Sequence, residues 1–230
     1  MIQQTKGIVL SSIKYAESSI ICRIYTETLG LQSYIVNGVR KKKGKNTYYQ
    51  PLNILDLEVY HKEKSGLHRI KECKIDYQYQ EAPFHIYKSS VLLFLAEVLG
   101  KCLKEESANV GLFSFLETSL IHFDQKEFDS SFHLHFLVDL SEFLGFCPEE
   151  NYKNWPFFDL IEGSFCATAP THQHQVQEPL ITAFSQLLSG QAIAHNKKDL
   201  LDVLLDYYAL HIEGFGKVQS LEVLQTVLKK

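Results

Sequence analysis

The hydrophobic period of this 230-residue chain changes once, at about residue 80, and that change limits the fold more than any single motif. Before it, apolar residues alternate with polar ones. Leu55, Leu57 and Val59 share one parity, while Asp56, Glu58 and Tyr60 share the other. Leu31, Ser33 and Ile35 alternate with Gln32, Tyr34 and Val36. Residues 7–10 and 18–25 are β-rich runs, and Lys64-Ser65-Gly66 is a turn before a fifth run at 67–77. Such alternation marks half-buried strands. Gly30, Gly38, Gly44 and Gly66 supply the connections with permissive backbone. Five short strands fit a small barrel. A Greek-key barrel of the OB type is one solution, and it often binds oligonucleotides; an SH3-like barrel or a sandwich fits the same pattern.

After Pro83 the spacing becomes helical. Tyr87, Val91, Leu95, Val98 and Leu99 repeat at helical intervals within 84–103, and the signal returns at 112–123 and 132–144. Ser130-Ser131 is a plausible start for the third helix and Gly145 its stop. Residues 146–177 lose the period and gather Pro148, Pro156, Gly163 and Pro170. A hairpin is expected there, with Phe157-Phe158-Asp159-Leu160 turning at Glu162-Gly163 into Ser164-Phe165-Cys166. Helical spacing resumes at 179–188, 198–212 and 221–228. The expected class is therefore α+β. A five-stranded OB-type barrel occupies residues 1–80, and a helical domain with an irregular insertion at 146–177 occupies 81–230.

Charge divides at the same place. Residues 1–80 hold 13 basic and 7 acidic side chains, while residues 81–230 hold 10 Lys and 20 acidic ones. Eight of the 12 Tyr precede residue 81 and all 15 Phe follow it, so the two parts differ in chemistry as well as in period. The basic excess is concentrated in Arg40-Lys41-Lys42-Lys43-Gly44-Lys45, between two expected strands. A cationic loop attracts phosphates and releases their counterions, largely without regard to sequence. Tyr48 and Tyr49 follow it and offer stacking faces for unpaired bases. A solvated loop is the plainer alternative. Arg23, Arg69 and Lys71, with Lys6, Lys14 and Lys74, are further cationic candidates on strands, where such residues often serve solubility alone.

Other classes have little support. A content of 45% hydrophobic and 22% charged residues suits a packed core. No apolar run reaches the roughly 18 residues of a membrane span, and the first residues do not resemble a signal peptide. Five cysteines, Cys22, Cys73, Cys102, Cys147 and Cys166, without a Cys-x-x-Cys pair, suit a reducing cytosol. His133 and His135 stand two apart on an expected helix and so point to different faces. His172 and His174 could chelate, but no suitably spaced cysteine pair accompanies them, so no metal is expected. No phosphate-cradling glycine loop, nucleophile elbow or His-Glu-x-x-His motif is present, and neither a catalytic residue nor a cofactor is expected.

The order of several segments resembles the RecO family of bacterial recombination mediators. The carriers are Thr5-Lys6-Gly7-Ile8-Val9-Leu10, Tyr15-Ala16-Glu17-Ser18-Ser19, Thr26-Glu27 with Gly30, and Asn37-Gly38-Val39-Arg40, then Phe143-Leu144-Gly145-Phe146-Cys147-Pro148. The resemblance implies an N-terminal OB-fold and binding of single- and double-stranded DNA with strand annealing. It further implies work with RecR and the single-strand-binding protein SSB to load the RecA recombinase, in the bacterial cytoplasm at the nucleoid. DNA binding passes to Arg40, Lys41, Lys42, Lys43 and Lys45, which match the family's basic loop. The family's helical part also receives the acidic, Phe-ended tail of SSB. Leu99, Lys101, Leu103 and Lys104 are the candidates for that apolar and positive corner.

One departure stands out. Many members carry a four-cysteine zinc module after the Leu-Gly-x-x-Pro helix end, where this chain has only Cys147 and Cys166. A non-enzymatic adaptor whose helical half binds partner peptides remains the competing reading. The expected hairpin is then held by apolar packing, and metal analysis of the purified protein should find well under one equivalent of zinc. One tightly held equivalent would contradict this.

Overall fold

The computed structural model describes residues 1–39, 45–62, 66–104, 107–150 and 153–229, with Lys45 described by its backbone alone. Five strands close into a barrel: β1 (Ile2–Lys14), β2 (Ile20–Thr26), β3 (Gly30–Val36), β4 (Ile54–Tyr60) and β5 (His68–Tyr77), in the order β1-β2-β3-β5-β4. This is the OB-type arrangement. β1 is much longer than its apolar run because it pairs with two neighbours, meeting β4 over Ile2 to Ile8 and β2 over Gly7 to Lys14. Gln3, Gln4, Thr5 and Lys6 thus lie in a strand although they lack apolar alternation. Gly7 is paired on both sides, and a Cβ there would fall 2.6 Å from Ile24 Cγ2 and 2.9 Å from Leu57 Cδ1. Only a glycine lets the strand cross the barrel at that point.

Val9, Ile24, Tyr34, Leu55, Leu57 and Val59 fill the barrel interior. Ile8 and Leu10 are equally buried, and helix α1 (Ile86–Cys102) packs on β1. This explains why residues 7–10 read as continuously apolar rather than alternating. α2 (Val110–Gln125) follows, with Asn109 Oδ1 accepting from the Leu112 N–H at 3.0 Å. The last helix, α6 (Leu221–Leu228), also packs on α1. Residues 1–128 and 218–230 together form one compact unit.

Two helix ends in this unit are satisfied by side chains remote in sequence. At the C-terminus of α2, Lys88 is fully buried and donates to the carbonyls of Asp124 at 3.0 Å and Lys126 at 2.6 Å, and also pairs with Glu81. A cation there answers the unpaired carbonyls and the negative end of the helix dipole. At the N-terminus of α6, Glu97 accepts from the Gln219 N–H at 2.9 Å, the Ser220 N–H at 2.8 Å and the Ser220 hydroxyl at 2.7 Å. Asp124, only 2% exposed, gathers the segment leaving the barrel. It accepts from the Tyr77 hydroxyl at 2.8 Å and from the backbone N–H groups of Gln80, Glu81 and Ala82 at 2.8, 2.9 and 2.7 Å.

The second compact unit spans residues 129–217. It contains α3 (Phe132–Phe143), α4 (Ile181–Leu188), α5 (Lys197–His211) and a small sheet of β6 (Phe157–Asp159), β7 (Ser164–Cys166) and β8 (Gln175–Val176). β6 and β7 form the expected hairpin, with Phe158 opposite Phe165. Phe158 sits 4.8 Å from Phe165 and 4.9 Å from Phe184 between ring centres, in edge-on geometry. Gly163 turns the hairpin at φ 67°, and a Cβ would fall 2.7 Å from the Tyr207 hydroxyl. Ser131 stands at the N-cap of α3, but its hydroxyl donates to the Ile193 carbonyl rather than capping the helix.

Two buried groups contribute to the acid sensitivity. Burial pushes His133 down to about 4, so it is neutral in the fold. The unfolded chain binds that proton first, so stability falls as pH drops from about 6.5 to 4; a His133→Phe variant should lose this slope in denaturant midpoints. For Asp124, burial opposes the charge but the Gln80, Ala82 and Glu81 N–H groups outweigh it and hold the carboxyl below its ordinary value. Its contribution is complete above about pH 4 and lost as pH falls further. Asp124→Asn should cost about 3 kcal/mol at neutral pH in chemical denaturation, because buried donors lose a charged acceptor.

Candidate nucleic-acid interface

β3 and β5 run parallel and pair only at Tyr34 with His68 and Ile35 with Arg69. Beyond those pairs a groove of about 460 Å³ lies between the end of β3 and β5. Val36, Val39, Tyr48, Ile70 and Cys73 give its lining an apolar part, and Arg69, Lys71 and Lys74 bring positive charge to it. Asn37 and Glu72 complete its polar part.

A β-bulge shapes the β5 side. Val59 pairs with Ile70 and Glu58 with Glu72, leaving Lys71 as the extra residue. The bulge turns Lys71 and Glu72 both outward, while Ile70 and Cys73 both pack against the barrel core. Bulges bend a strand and re-aim its side chains in this way. The spacing Ile70, Cys73, Ile75, three residues and then two, is the sequence signal of the bulge and of the role of Cys73, and simple alternation does not reveal it.

Tyr48 and Tyr49 lie on a 3-10 helix, Lys45–Tyr49, which the hydrophobic pattern does not predict. Asn53 Nδ2 pins that turn through the Thr47 carbonyl at 2.8 Å and the Tyr48 carbonyl at 3.1 Å. Tyr49 is buried and hydrogen-bonds Cys73, and burial pushes its phenol well above the ordinary range. Tyr48 is half-buried and lines the groove, so of the two tyrosines it is the one with a face to offer.

The cations differ in how far they are engaged. Lys71 pairs with Glu58 at 2.9 Å, which raises its ammonium above the ordinary value. Arg69 and Lys74 are exposed and form no ion pair among the described residues. Arg23 lies outside the groove lining; its guanidinium donates to the Gly100 carbonyl at 3.3 Å and the Leu103 carbonyl at 3.5 Å, at the end of α1. Lys6 is held by Glu117 at 2.8 Å and Asp76 at 3.0 Å. Arg40, Lys41, Lys42 and Lys43 lie outside the described residues, as does the side chain of Lys45; in sequence they join Val39, a groove residue, to the 3-10 helix.

Of the helical candidates, Leu99 and Leu103 are buried in the core, Lys101 approaches Glu97 at 3.8 Å, and Lys104 is exposed. Only the two lysines present atoms to a partner there. His172 meets Asp159 at 3.1 Å, with the His174 ring centre 6.0 Å away. Among the described residues, no group of three or more His, Cys, Asp or Glu is placed to hold a metal ion. Nor is any helix among them long and apolar enough to cross a membrane.

A five-stranded barrel of the OB type, bearing a cation-lined groove and followed in the chain by helices, defines an α+β protein of the OB-barrel class. Family profiles for the N-terminal and C-terminal parts of recombination protein O match residues 1–79 and 83–221. The chain is 36% identical over 233 residues to a DNA repair protein RecO of Flavobacterium psychrophilum, covering 97% of this chain and 98% of the relative. It is 35% identical over 238 residues to that of Christiangramia forsetii, covering 99% of each, and 28% identical over 245 residues to that of Porphyromonas gingivalis, again covering 99% of each. The chain belongs to the RecO family of DNA repair and recombination proteins.

Proposed function

We propose that this protein binds single- and double-stranded DNA through its barrel, anneals complementary strands and, with RecR and SSB, helps load RecA at sites of homologous recombination. The observation that carries the reading is the join between a cation-lined groove and the run Arg40-Lys41-Lys42-Lys43-Gly44-Lys45, in a chain of this family. Residues 1–80 are the nucleic-acid-binding part. The acidic residues 81–230 repel phosphate and face proteins instead, with Lys101 and Lys104 offered to the acidic SSB tail. Tyr48, Arg69 and Lys71 add to the DNA surface, whereas Arg23 is assigned to holding α1. The work is positional and needs no catalytic group, and its place is the bacterial cytoplasm at the nucleoid.

The test is a titration of labelled single-stranded DNA over a range of salt. Affinity should fall steeply with salt. Replacing Arg40, Lys41, Lys42, Lys43 and Lys45 by Ala should weaken binding at every salt concentration, and the slope of log affinity against log salt should shrink by up to about 0.7 for each phosphate that the variant no longer neutralises. An unchanged slope would remove the loop from the DNA surface. Absence of binding at low salt would refute the reading as a whole.

A further inference from the structure

We propose that the groove between β3 and β5 is a seat for one unpaired nucleotide, its base entering against Tyr48 and its phosphates held at Arg69 and Lys74. This rests on the reading of the chain as a DNA-binding protein and states where the barrel grips the strand and which form of DNA fits.

The first argument is by exclusion. The outer side of β2 is occupied: Arg23 is spent on the carbonyls ending α1, and Tyr25 stacks on Phe113 of α2 with ring centres 6.4 Å apart. Helices therefore stand where an open barrel face would otherwise meet a ligand. The concavity between β3 and β5 is left, and it is built rather than incidental. Pairing stops after Ile35 and Arg69, and the bulge at Lys71 re-aims the neighbouring side chains of β5.

The second argument is chemical. A volume of about 460 Å³ falls within the range of small-ligand pockets, roughly 300–1,000 Å³. A nucleotide joins a flat base, apolar on its faces and polar at its edges, to a charged phosphate. The groove offers the same division, with Val36, Val39, Ile70 and the Tyr48 ring for the base and Arg69 and Lys74 for the phosphates. Glu72 also lines the groove. Its carboxylate repels phosphate but accepts from base N–H groups, the ring N–H of thymine among them, so a base-inward orientation is favoured. A base in a duplex is stacked and paired on its edge and cannot enter without being extruded. The seat therefore selects unpaired strands, while the basic run attracts either form.

Cys73 reports occupancy, because it lines the groove, is half-buried and is not disulfide-bonded. The experiment is thiol alkylation of the full-length protein, mapped by mass spectrometry, with oligo(dT), with duplex DNA of equal length at equal occupancy, and without DNA. Oligo(dT) should slow alkylation of Cys73 relative to the exposed Cys147 several-fold, and duplex should not. Alongside it, Tyr48→Ala and the pair Arg69→Ser with Lys74→Ser should each weaken oligo(dT) binding about tenfold, as removal of a stacking ring or of phosphate-binding charge implies, and duplex binding much less. Salt-sensitive DNA binding with Cys73 unprotected by oligo(dT), or protected equally by duplex, overturns the seat and leaves the proposed function standing. Wild-type protein that binds neither DNA overturns both. The alkylation result does not depend on any variant folding.

Discussion

The fold turns on the Asp124 carboxylate. Where the chain leaves the barrel it must stop pairing as a strand and begin a helix, and three successive N–H groups are left without carbonyl partners. Asp124 accepts all three, from Gln80, Glu81 and Ala82, and also takes the Tyr77 hydroxyl at the end of β5. A carboxylate can serve so many donors because both oxygens carry lone pairs and its charge strengthens each bond. Its own backbone carbonyl is taken by Lys88, one turn into α1. Barrel, linker and two helices thus meet in one polar cluster whose centre, Asp124 and Lys88, is buried.

That cluster and its relatives decide what the barrel can offer to a ligand. Small barrels of this kind have few outward faces, and this one gives much of β1 and β2 to helices. Ile8 and Leu10 are buried, Tyr25 stacks on α2, and Arg23 closes α1. The side that remains owes its shape to a mismatch in strand pairing. Two parallel pairs hold β3 to β5, and then the strands part. Positive charge at such a place is effective because the neighbouring apolar wall excludes competing water from one side of the interaction.

Much of this is legible in the sequence where the determinants are local. The parity of Leu55, Leu57 and Val59 marks β4, and the spacing of Val91, Leu95 and Leu99 marks α1 almost to its ends. Lys101 and Tyr48 stand out because charge and aromatic rings declare themselves by type. What stays hidden depends on partners far along the chain. The first half of β1 carries Gln3, Gln4, Thr5 and Lys6, which look like a tail and become a strand only because β4 lies beside them. Asp124, Lys88 and Glu97 resemble ordinary surface charges of helices, since nothing local states which backbone ends they will meet. Leu99 and Leu103 become docking candidates only through the family resemblance and the lysines beside them, and their burial comes from packing that periodicity does not specify. Cys73 is hidden by a bulge, although its three-residue distance from Ile70 records it.

The grouping of residues 218–230 with residues 1–128 has a consequence in time. A chain made from its N-terminus supplies β1 first, yet β1 needs β4 for one of its edges, and the polar cluster must wait for residue 124. The capping of α6 by Glu97 comes later still, when all of residues 129–217 have been made. The intervening unit can therefore be complete while the unit that surrounds it in sequence still lacks its last helix. The barrel precedes the intervening unit in the chain, but residues 218–230, made after that unit, complete the one to which the barrel belongs.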